Sequence, residues 1–533
     1  MRLDQAPEIP ADLPLLTCGV PRPAKALMLQ GTASDVGKSL LVAGLCRAYH
    51  RRGLRVRPFK AQNMSNNAAV TADSDALPGP DGKQPRDETP RGEIGRAQAL
   101  QARACGVPPS IHMNPVLLKP QTNVGSQVVL RGRSLGNCPA RVYHQMRQGM
   151  MPAILDSFER TCAEADLVLV EGAGSGAEVY LRDCDITNMY FAERAEVPVI
   201  IVGDLDKGGT MASLVGTWLL LDQADRDRVV GYLVNKFRGD FSLFEPACET
   251  ITEHTGWPFL GVVRWFEGAH RLPAEDSLAL ERPAETAWAS GSINIAVPRL
   301  SRIANFDDLD PLAAEPAVNL RWVQPGQPIP AETDVVILPG SKATRADLDT
   351  LRREGWDIDI LAHVRRGGRV LGLCAGFQML GRVVRDPDGI EGPAGETPGL
   401  GLLDIETTIS VDKRLVEINL QDHHSGCRLT GYEMHMGRTT GAGLERPWLA
   451  LGDGPKSRPR TRPEGAISAD GRVMGGYVHG IFSSDAFRTH WLAQIGAQAA
   501  EIDFEARIEA ALDALAEHCE ANLDLDALLA LAR

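Results

Sequence analysis

The chain contains 533 residues with a formal net charge of −13, and 44% of its residues are hydrophobic. At about 150 residues per domain, this length predicts more than one large domain. The acidic balance argues against bulk binding of nucleic acid, which needs a strongly basic surface, but it allows an anionic small molecule to bind at local positive charge. No apolar run reaches the roughly 20 residues of a membrane span, so no membrane contact is expected.

The 10 cysteines include no Cys-x-x-Cys pair. This spacing favours reduced thiols in a cytosolic protein over a zinc site or a disulfide framework. Residues 1–23 lack the basic start and the long apolar core of a signal peptide, and we interpret them as an N-terminal leader. The expected location is therefore the cytoplasm. The oligomeric state is left open.

Short apolar runs alternate with helical patterns from residue 24 onward. Residues 39–52 predict a helix that Gly53 ends. The runs that predict buried strands in the first half of the chain are 26–30, 54–59, 166–170, 197–202 and 229–234. Strands that alternate with helices in this way predict a mostly parallel sheet covered on both faces, and so an α/β fold.

The chain divides into two large parts by composition. A turn-rich stretch at 272–291 predicts a linker between a first domain at 24–271 and a second αβ series at 292–500. In the remaining segment, 501–533, apolar residues recur at near-helical spacing, which predicts one or two packing helices.

The segment Gly31-Thr-Ala-Ser-Asp-Val-Gly-Lys-Ser39 follows a predicted strand and opens a predicted helix, as a phosphate-binding loop requires. Its glycines allow backbone N–H groups to surround phosphate oxygens, and the helix N-terminus adds a favourable dipole. Lys38 is expected to neutralise the β- and γ-phosphates, and Ser39 to bind Mg²⁺. The candidate nucleotide-binding residues of this loop are Gly31, Thr32, Asp35, Val36, Gly37, Lys38 and Ser39.

Two further strand ends support a nucleotide site. Glu171 ends a buried strand beside glycines, where a carboxylate could reach Mg²⁺. Asn235 and Lys236 follow another strand, with Asp240 downstream. That pattern is typical of purine-base recognition, although a plain turn would look similar. The sequence therefore predicts binding of ATP and Mg²⁺.

The segment Lys60-Ala-Gln-Asn-Met-Ser-Asn-Asn67 follows the second predicted strand and is dense in side-chain amides. Lys60, Gln62 and Asn63 could bind and orient an anionic substrate that carries amides. Composition alone is also compatible with an ordinary turn at this point.

A candidate nucleophile lies in the second half of the chain. Cys374 is flanked by Gly372 and Gly376 between a predicted strand and a predicted helix, which is the pattern of a nucleophile elbow. The helix N-terminus would favour the thiolate. His479 ends another predicted strand and is the candidate proton carrier. The backbone N–H groups near Gly340 and Ala375 could stabilise an oxyanion.

Together these motifs resemble a class I glutamine amidotransferase domain fused behind a dethiobiotin-synthetase-like ATPase, which is the architecture of the cobyrinate amidase family. The segments at 60–67, 92–98, 113–120 and 431–437 resemble the branch that amidates an a,c-diamide. The segment at 60–67 differs from that of the branch that makes the a,c-diamide, which carries a Gly-Pro-Asp-Tyr type segment at this place. The resemblance covers roughly residues 27–487.

This resemblance implies a P-loop NTPase-type doubly wound sheet followed by a flavodoxin-like domain. It implies that Cys374 releases ammonia from glutamine with His479 as proton carrier. It also implies that ATP and Mg²⁺ activate the b, d, e and g carboxylates of a corrin a,c-diamide as acyl phosphates, which ammonia then attacks. Glutamine and the corrin are the implied partners, with no nucleic acid and no membrane.

The chain departs from the wider class at one position. Most class I amidotransferases have Glu two residues after the catalytic His, where this chain has Ile481. The residue that orients His479 is therefore left open, with Glu433 and His435 as motif-borne candidates.

The sequence leaves three alternative functions open. The chain could be an a,c-diamide synthase or another ATP-dependent ligase of the superfamily. It could be a nucleotide switch of the partitioning kind, although Thr32 and Ala33 stand where those proteins carry a second Lys. An inactive amidotransferase domain that only binds a ligand is disfavoured because Cys374 and His479 are both present.

Overall fold

The computed structural model describes residues 9–10, 24–74, 91–121, 125–275, 280, 288, 292–452 and 462–533. Nearly all of the predicted leader at 1–23 and most of the predicted linker at 272–291 lie outside these ranges. Within them, none of the helices combines the length and the apolar composition that crossing a bilayer requires.

The first half of the chain contains every strand that its apolar runs predict. Its strands and helices are β1 (Lys25–Gly31), α1 (Lys38–Arg51), β2 (Val56–Phe59), β3 (Gln62–Met64), β4 (Ala68–Val70), β5 (Glu93–Gly95), α2 (Arg96–Ala104), β6 (Val116–Pro120), β7 (Gly125–Leu130), β8 (Arg133–Pro139), α3 (Ala140–Ala163), β9 (Leu167–Ser175), α4 (Met189–Arg194), β10 (Val199–Asp204), α5 (Thr210–Leu220), α6 (Gln223–Arg228), β11 (Val229–Phe237), α7 (Glu245–Thr255) and β12 (Phe259–Arg264).

The central sheet of this half is parallel, with strand order β12-β11-β10-β1-β9-β2. Side chains on both of its faces are buried in two hydrophobic clusters, which explains why its strands are continuous apolar runs. The carboxyl ends of parallel strands lie at one edge of a sheet. The segments that follow β1 and β2 and the end of β9 therefore meet at that edge.

The second half is also α/β. Its strands and helices are β13 (Ile293–Pro298), β14 (Ile303–Ala304), α8 (Asp310–Ala313), β15 (Val318–Val323), β16 (Val335–Leu338), β17 (Gly340–Ser341), α9 (Thr344–Arg353), α10 (Trp356–Arg365), β18 (Arg369–Leu373), α11 (Ala375–Met379), β19 (Val383–Asp386), β20 (Gly395–Pro398), β21 (Glu406–Asp422), β22 (Arg428–Thr440), β23 (Leu449–Gly452), β24 (Arg462–Glu464), β25 (Ala466–Ile467), β26 (Val473–Gly476), β27 (Val478–His479) and α12 (Asp485–Gln494).

Its main sheet has strand order β15-β13-β16-β18-β26-β25, and only the β26–β25 pair is antiparallel. The predicted two-domain α/β fold is thus confirmed. Besides two short two-stranded sheets, β4–β5 and β14–β17, two larger sheets were not predicted. One joins β3, β6, β7 and β8, and the other is built on the long β21–β22 hairpin and ends with β27.

The end of the chain returns to the first domain. The predicted tail forms α13 (Phe504–Asn522) and α14 (Leu525–Leu531), and its apolar face is buried against α1 and the central sheet. Arg47 of α1 binds Glu509 and Asp513 of α13 at 2.8 and 2.7 Å. The backbone of Arg533 forms two hydrogen bonds with the backbone of Ala26 in β1. The first domain is therefore built from both ends of the chain.

Candidate active site

The phosphate loop connects β1 to α1. Gly37 has φ +92°, and a Cβ there would collide with the amide of Asn235, so the position needs glycine. The helix begins at Lys38, and no side chain of the described residues caps its first turn. Its free backbone N–H groups are available to an anion.

Lys38 lies at the centre of this loop. Its Nζ donates hydrogen bonds to the carbonyls of Ala33 and Gly174, both at 3.0 Å. Burial lowers the pKa of Lys38 to about 8, although the nearby Glu171 carboxylate opposes this effect. The ammonium is thus partly desolvated and faces the space that the loop encloses.

Glu171 is a second fixed charge at the same edge of the sheet, and only 1% of it is exposed. It accepts hydrogen bonds from Ser39 Oγ and Lys60 Nζ, both at 2.7 Å, and from Gln101 Nε2 at 2.6 Å. Burial favours the neutral acid, but the Lys60 ammonium and these hydrogen bonds keep the pKa of Glu171 below its ordinary value. Lys60, predicted to contact a substrate, is therefore ion-paired with this carboxylate.

The oxygen atoms around Ser39 suit a hard cation. Besides Glu171, the Ser39 hydroxyl donates to Glu275 Oε2 at 3.0 Å. Hydroxyl and carboxylate oxygens are the ligands that Mg²⁺ prefers, so this donor set fits the ion. Glu275 belongs to the described start of the predicted linker, and sequence patterns did not single it out.

The amide-rich segment at 60–67 runs from the phosphate loop to the second domain. Gln62 accepts a hydrogen bond from Tyr143. Asn63 Nδ2 donates to Gln98 and to Glu275, both at 2.8 Å. Asn66 lines the pocket that contains Cys374. One segment of the first domain therefore contacts both candidate sites.

Asn235 and Lys236 support the phosphate loop from the end of β11. Asn235 Nδ2 donates to the Val36 carbonyl at 2.8 Å. Lys236 Nζ binds Asp204 at 2.9 Å and the Asp35 carbonyl. Asp35 itself has φ +58°. On the other side of the loop, the backbone N–H of Thr32 donates to Val202 at 3.0 Å.

Beside these residues is a cavity of about 120 Å³. Asn235 and Gly37 form one wall, and Phe266 of the segment after β12 forms another. The ring of His518 in α13 lies 5.3 Å from the Phe266 ring. The C-terminal helix thus contributes to a mainly apolar cavity next to the phosphate loop.

Cys374 has the strained backbone of a nucleophile elbow. Its φ is +53°, which is unusual for a residue with a Cβ. A Cβ at Gly372 would lie 2.6 Å from the backbone of Gly376, and one at Gly376 would overlap the Leu338 carbonyl. Both glycines are therefore needed for the chain to turn from β18 into α11.

His479 and Asp308 lie together in the interior of the second domain. His479 Nδ1 donates to Asp308 Oδ2 at 2.6 Å, and the backbone N–H of Gly480 donates to Asp308 Oδ1 at 2.8 Å. Burial would lower the pKa of His479, but the Asp308 carboxylate and the Cys374 sulfur raise it to about 10. Asp308 is thus placed to fix the imidazole and to stabilise its protonated form.

Asp308 orients His479, the role that was left open because Ile481 stands at the usual position of Glu. The two candidates from the 431–437 motif, Glu433 and His435, do not take this role. Glu433 is bound by two arginines, Arg414 of β21 and Arg462 of β24. His435 stacks on Tyr477 with ring centroids 3.7 Å apart, and burial lowers its pKa to about 4.

The candidate oxyanion residues line the same pocket as Cys374 and His479. Ala375 follows the nucleophile directly and begins α11. A Cβ on Gly340 would lie 2.8 Å from the Ala304 carbonyl and 3.5 Å from the His479 ring. The backbone of both residues is therefore close to the thiol and the imidazole.

Comparison with known proteins agrees with this geometry. Residues 27–279 match the CobQ/CobB/MinD/ParA nucleotide binding domain, and residues 294–487 match the CobB/CobQ-like glutamine amidotransferase domain. Cobyric acid synthase of Rhodobacter capsulatus is 56% identical over 95% of this chain and 100% of its own length. That of Methylobacterium nodulans is 56% identical over 96% of this chain and 99% of its own length.

The chain belongs to the cobyric acid synthase family. In this member of the family, the thiol, the imidazole and Asp308 come from three separate stretches of the second domain. The two residues of the ion pair, His479 and Asp308, are 171 positions apart.

Asp308→Asn is expected to lower the rate of glutamine hydrolysis by about 10²- to 10⁴-fold, because an amide cannot stabilise the imidazolium. Loss of the carboxylate also lowers the pKa of His479, so the ionisation of His479 moves to lower pH. Initial rates of glutamine hydrolysis measured across pH test both effects. Asp308→Glu keeps the charge and should retain the high pKa with a smaller loss. Equal losses in the two variants with unshifted pH profiles would contradict the positioning role.

Proposed function

We propose that this chain uses ATP and glutamine to convert the b, d, e and g carboxylates of a corrin a,c-diamide into amides. The observation that carries the proposal is a phosphate loop and an elbow thiol in one chain, joined by the segment at 60–67 that contacts both. Relatives over nearly the whole chain carry the name cobyric acid synthase, which supports a corrin acid as the acceptor.

The thiol site releases ammonia in this proposal. The Cys374 sulfur adds to the carboxamide carbon of glutamine, and His479 accepts the thiol proton and passes it to the departing ammonia. The backbone N–H groups of Gly340 and Ala375 stabilise the oxyanion. Water then hydrolyses the thioester, which releases glutamate and restores the thiol.

The phosphate loop activates the acceptor. A corrin carboxylate attacks the γ-phosphorus of ATP, giving an acyl phosphate and ADP, and ammonia then displaces phosphate from the acyl carbon. Lys38 and the free N–H groups of α1 neutralise the transferring phosphoryl group. Mg²⁺ held by Ser39 and Glu171 would neutralise further phosphate charge. Lys60, Gln62 and Asn63 lie beside this point, and we assign them to orienting the corrin carboxylate.

Cys374→Ala is expected to abolish amidation with glutamine and to retain amidation with ammonium, because the thiol acts only in ammonia release. Product formation with each nitrogen source at mildly alkaline pH measures this difference. A folded variant that fails with both sources would contradict a two-site mechanism.

Lys38→Ala is expected to lower amidation with either nitrogen source by about 10²-fold or more, because activation of the carboxylate precedes attack by ammonia. The same assay applies, with Lys25→Ala, an exposed lysine at the start of β1, as the matched control. Undiminished amidation with ammonium would remove the phosphate loop from the mechanism.

We also assign the cavity beside Asn235 and Phe266 to the base of the nucleotide. It is mainly apolar, it adjoins the end of the phosphate loop at Gly37, and the base of ATP has two flat apolar faces. Val36, Asn235 and Lys236 support its loop wall. His518 closes the cavity from α13.

His518→Trp is expected to weaken ATP binding about 10-fold or more, because the larger ring occupies the space of the base. Binding of inorganic tripolyphosphate, which has no base, should be unchanged. Titration calorimetry with both compounds measures the contrast, and Glu517→Trp, at the exposed neighbouring position, is the matched control. Equal weakening of both compounds would place the base elsewhere.

A further inference from the structure

The pocket that contains Cys374 carries charges that the proton transfers do not use. Lys119, Lys342, Lys413 and Glu391 line it together with the thiol. Neither attack by the thiol nor proton transfer by His479 needs three ammonium groups and a carboxylate. Each of these charges must therefore be balanced either by another side chain of the protein or by a ligand.

The charges of two of the lysines are balanced by a carboxylate of the protein itself. Lys119 and Lys413 both bind Glu93, a fully buried carboxylate of the first domain. Lys342 differs from them. Across the described ranges, no carboxylate lies within ion-pair distance of its ammonium, and burial together with the nearby Lys413 lowers its pKa to about 8.

Glu391 is the opposite charge in the same pocket. Its backbone N–H donates to Asp386 at 2.8 Å, and one of its carboxylate oxygens accepts the backbone N–H of Thr344 at 2.9 Å. Its position is therefore fixed by the main chain. No cation of the described residues forms an ion pair with it, although the electrostatic influence of Lys342 reaches it.

A rigid pocket with a cation and an anion that do not pair with each other suits a ligand that brings both charges. A free α-amino acid is such a ligand, since its carboxylate and ammonium groups share one carbon. Partly buried charges without ion-pair partners are costly, so a ligand that supplies both partners gains from each contact. In glutamine the reacting carboxamide lies at the other end of a short apolar chain.

We propose that Lys342 binds the α-carboxylate of glutamine and Glu391 binds its α-ammonium group, with the carboxamide directed to Cys374. The inference rests on the proposed glutaminase function and adds the basis of its specificity. Primary amides that lack either charged group, including glutamine side chains inside a peptide, leave one partly buried charge of the pocket unpaired and are rejected.

Two glutamine analogues separate the two contacts. L-Glutamine α-amide lacks the carboxylate, and glutaramate lacks the amino group, while both keep the carboxamide that is hydrolysed. Ammonia release from L-glutamine and from each analogue gives kcat/KM for the parent protein, Lys342→Met, Glu391→Gln and a control, Lys25→Met.

Lys342→Met is expected to lower kcat/KM for L-glutamine about 10- to 100-fold, and to match the parent protein on the α-amide. Glu391→Gln is expected to show the same loss with L-glutamine and to match the parent protein on glutaramate. Lys25→Met should match it on all three compounds.

Equal losses on all three compounds would show that the substitutions act on the fold and would overturn the inference. So would an unchanged kcat/KM for L-glutamine in either pocket variant. If the parent protein released no ammonia from L-glutamine, the proposed function itself would fail, which is a separate result.

Discussion

The relative position of the two domains depends on one buried carboxylate that they share. Glu93 in β5 of the first domain lies between Lys119 of the same domain and Lys413 of the long hairpin in the second. Burial would favour its neutral form, but the two ammonium groups hold its pKa well below the ordinary range. Removing one member of such a group costs about 3–5 kcal/mol, so the arrangement resists separation of the domains.

Helix α2 extends this interface to both centres of chemistry. At its start, Arg96 binds Asp307 at 2.9 Å and the Tyr432 hydroxyl at 2.8 Å. Asp307 precedes Asp308, and the Tyr432 ring stacks on His479 with centroids 5.1 Å apart. Five positions further along the helix, Gln101 binds Glu171 beside the phosphate loop. The position of the imidazole thus depends on the domain that is proposed to bind ATP.

The features that could be predicted from the sequence are those built by adjacent residues. The phosphate loop and the thiol elbow each lie within about ten positions, and their glycines are required by local backbone geometry. The alternation of strands and helices was equally local, so the α/β class was predicted correctly.

The features that were not predicted are contacts between distant parts of the chain. Asp308 has no motif of its own and reaches His479 only because the fold brings the helical turn Phe306–Leu309 next to the end of β27. Lys60 was predicted as a substrate contact from its own segment alone, and its ion pair with Glu171 joins residues 111 positions apart. Spacing along a sequence carries no signal for such pairs. The same reason explains why the tail was predicted to be helical, but not to line a cavity beside the phosphate loop.

The path of the chain explains how the two sites can keep a fixed relative position during a reaction that passes ammonia between them. A domain attached by one linker can rotate about it unless its interface is large. Here the second domain leaves the first before β13 and returns to it at α13, which packs into the core of the first domain. It is therefore attached at two points, and the backbone pairing of Arg533 with Ala26 fixes the second attachment to the central sheet.

Two attachments and the Glu93 cluster restrict rotation of the second domain, which keeps Asn66 in the wall of the thiol pocket. In the proposed mechanism, ammonia released there lies beside the segment that leads to the phosphate loop, so a fixed arrangement of the two domains favours its attack on the acyl phosphate.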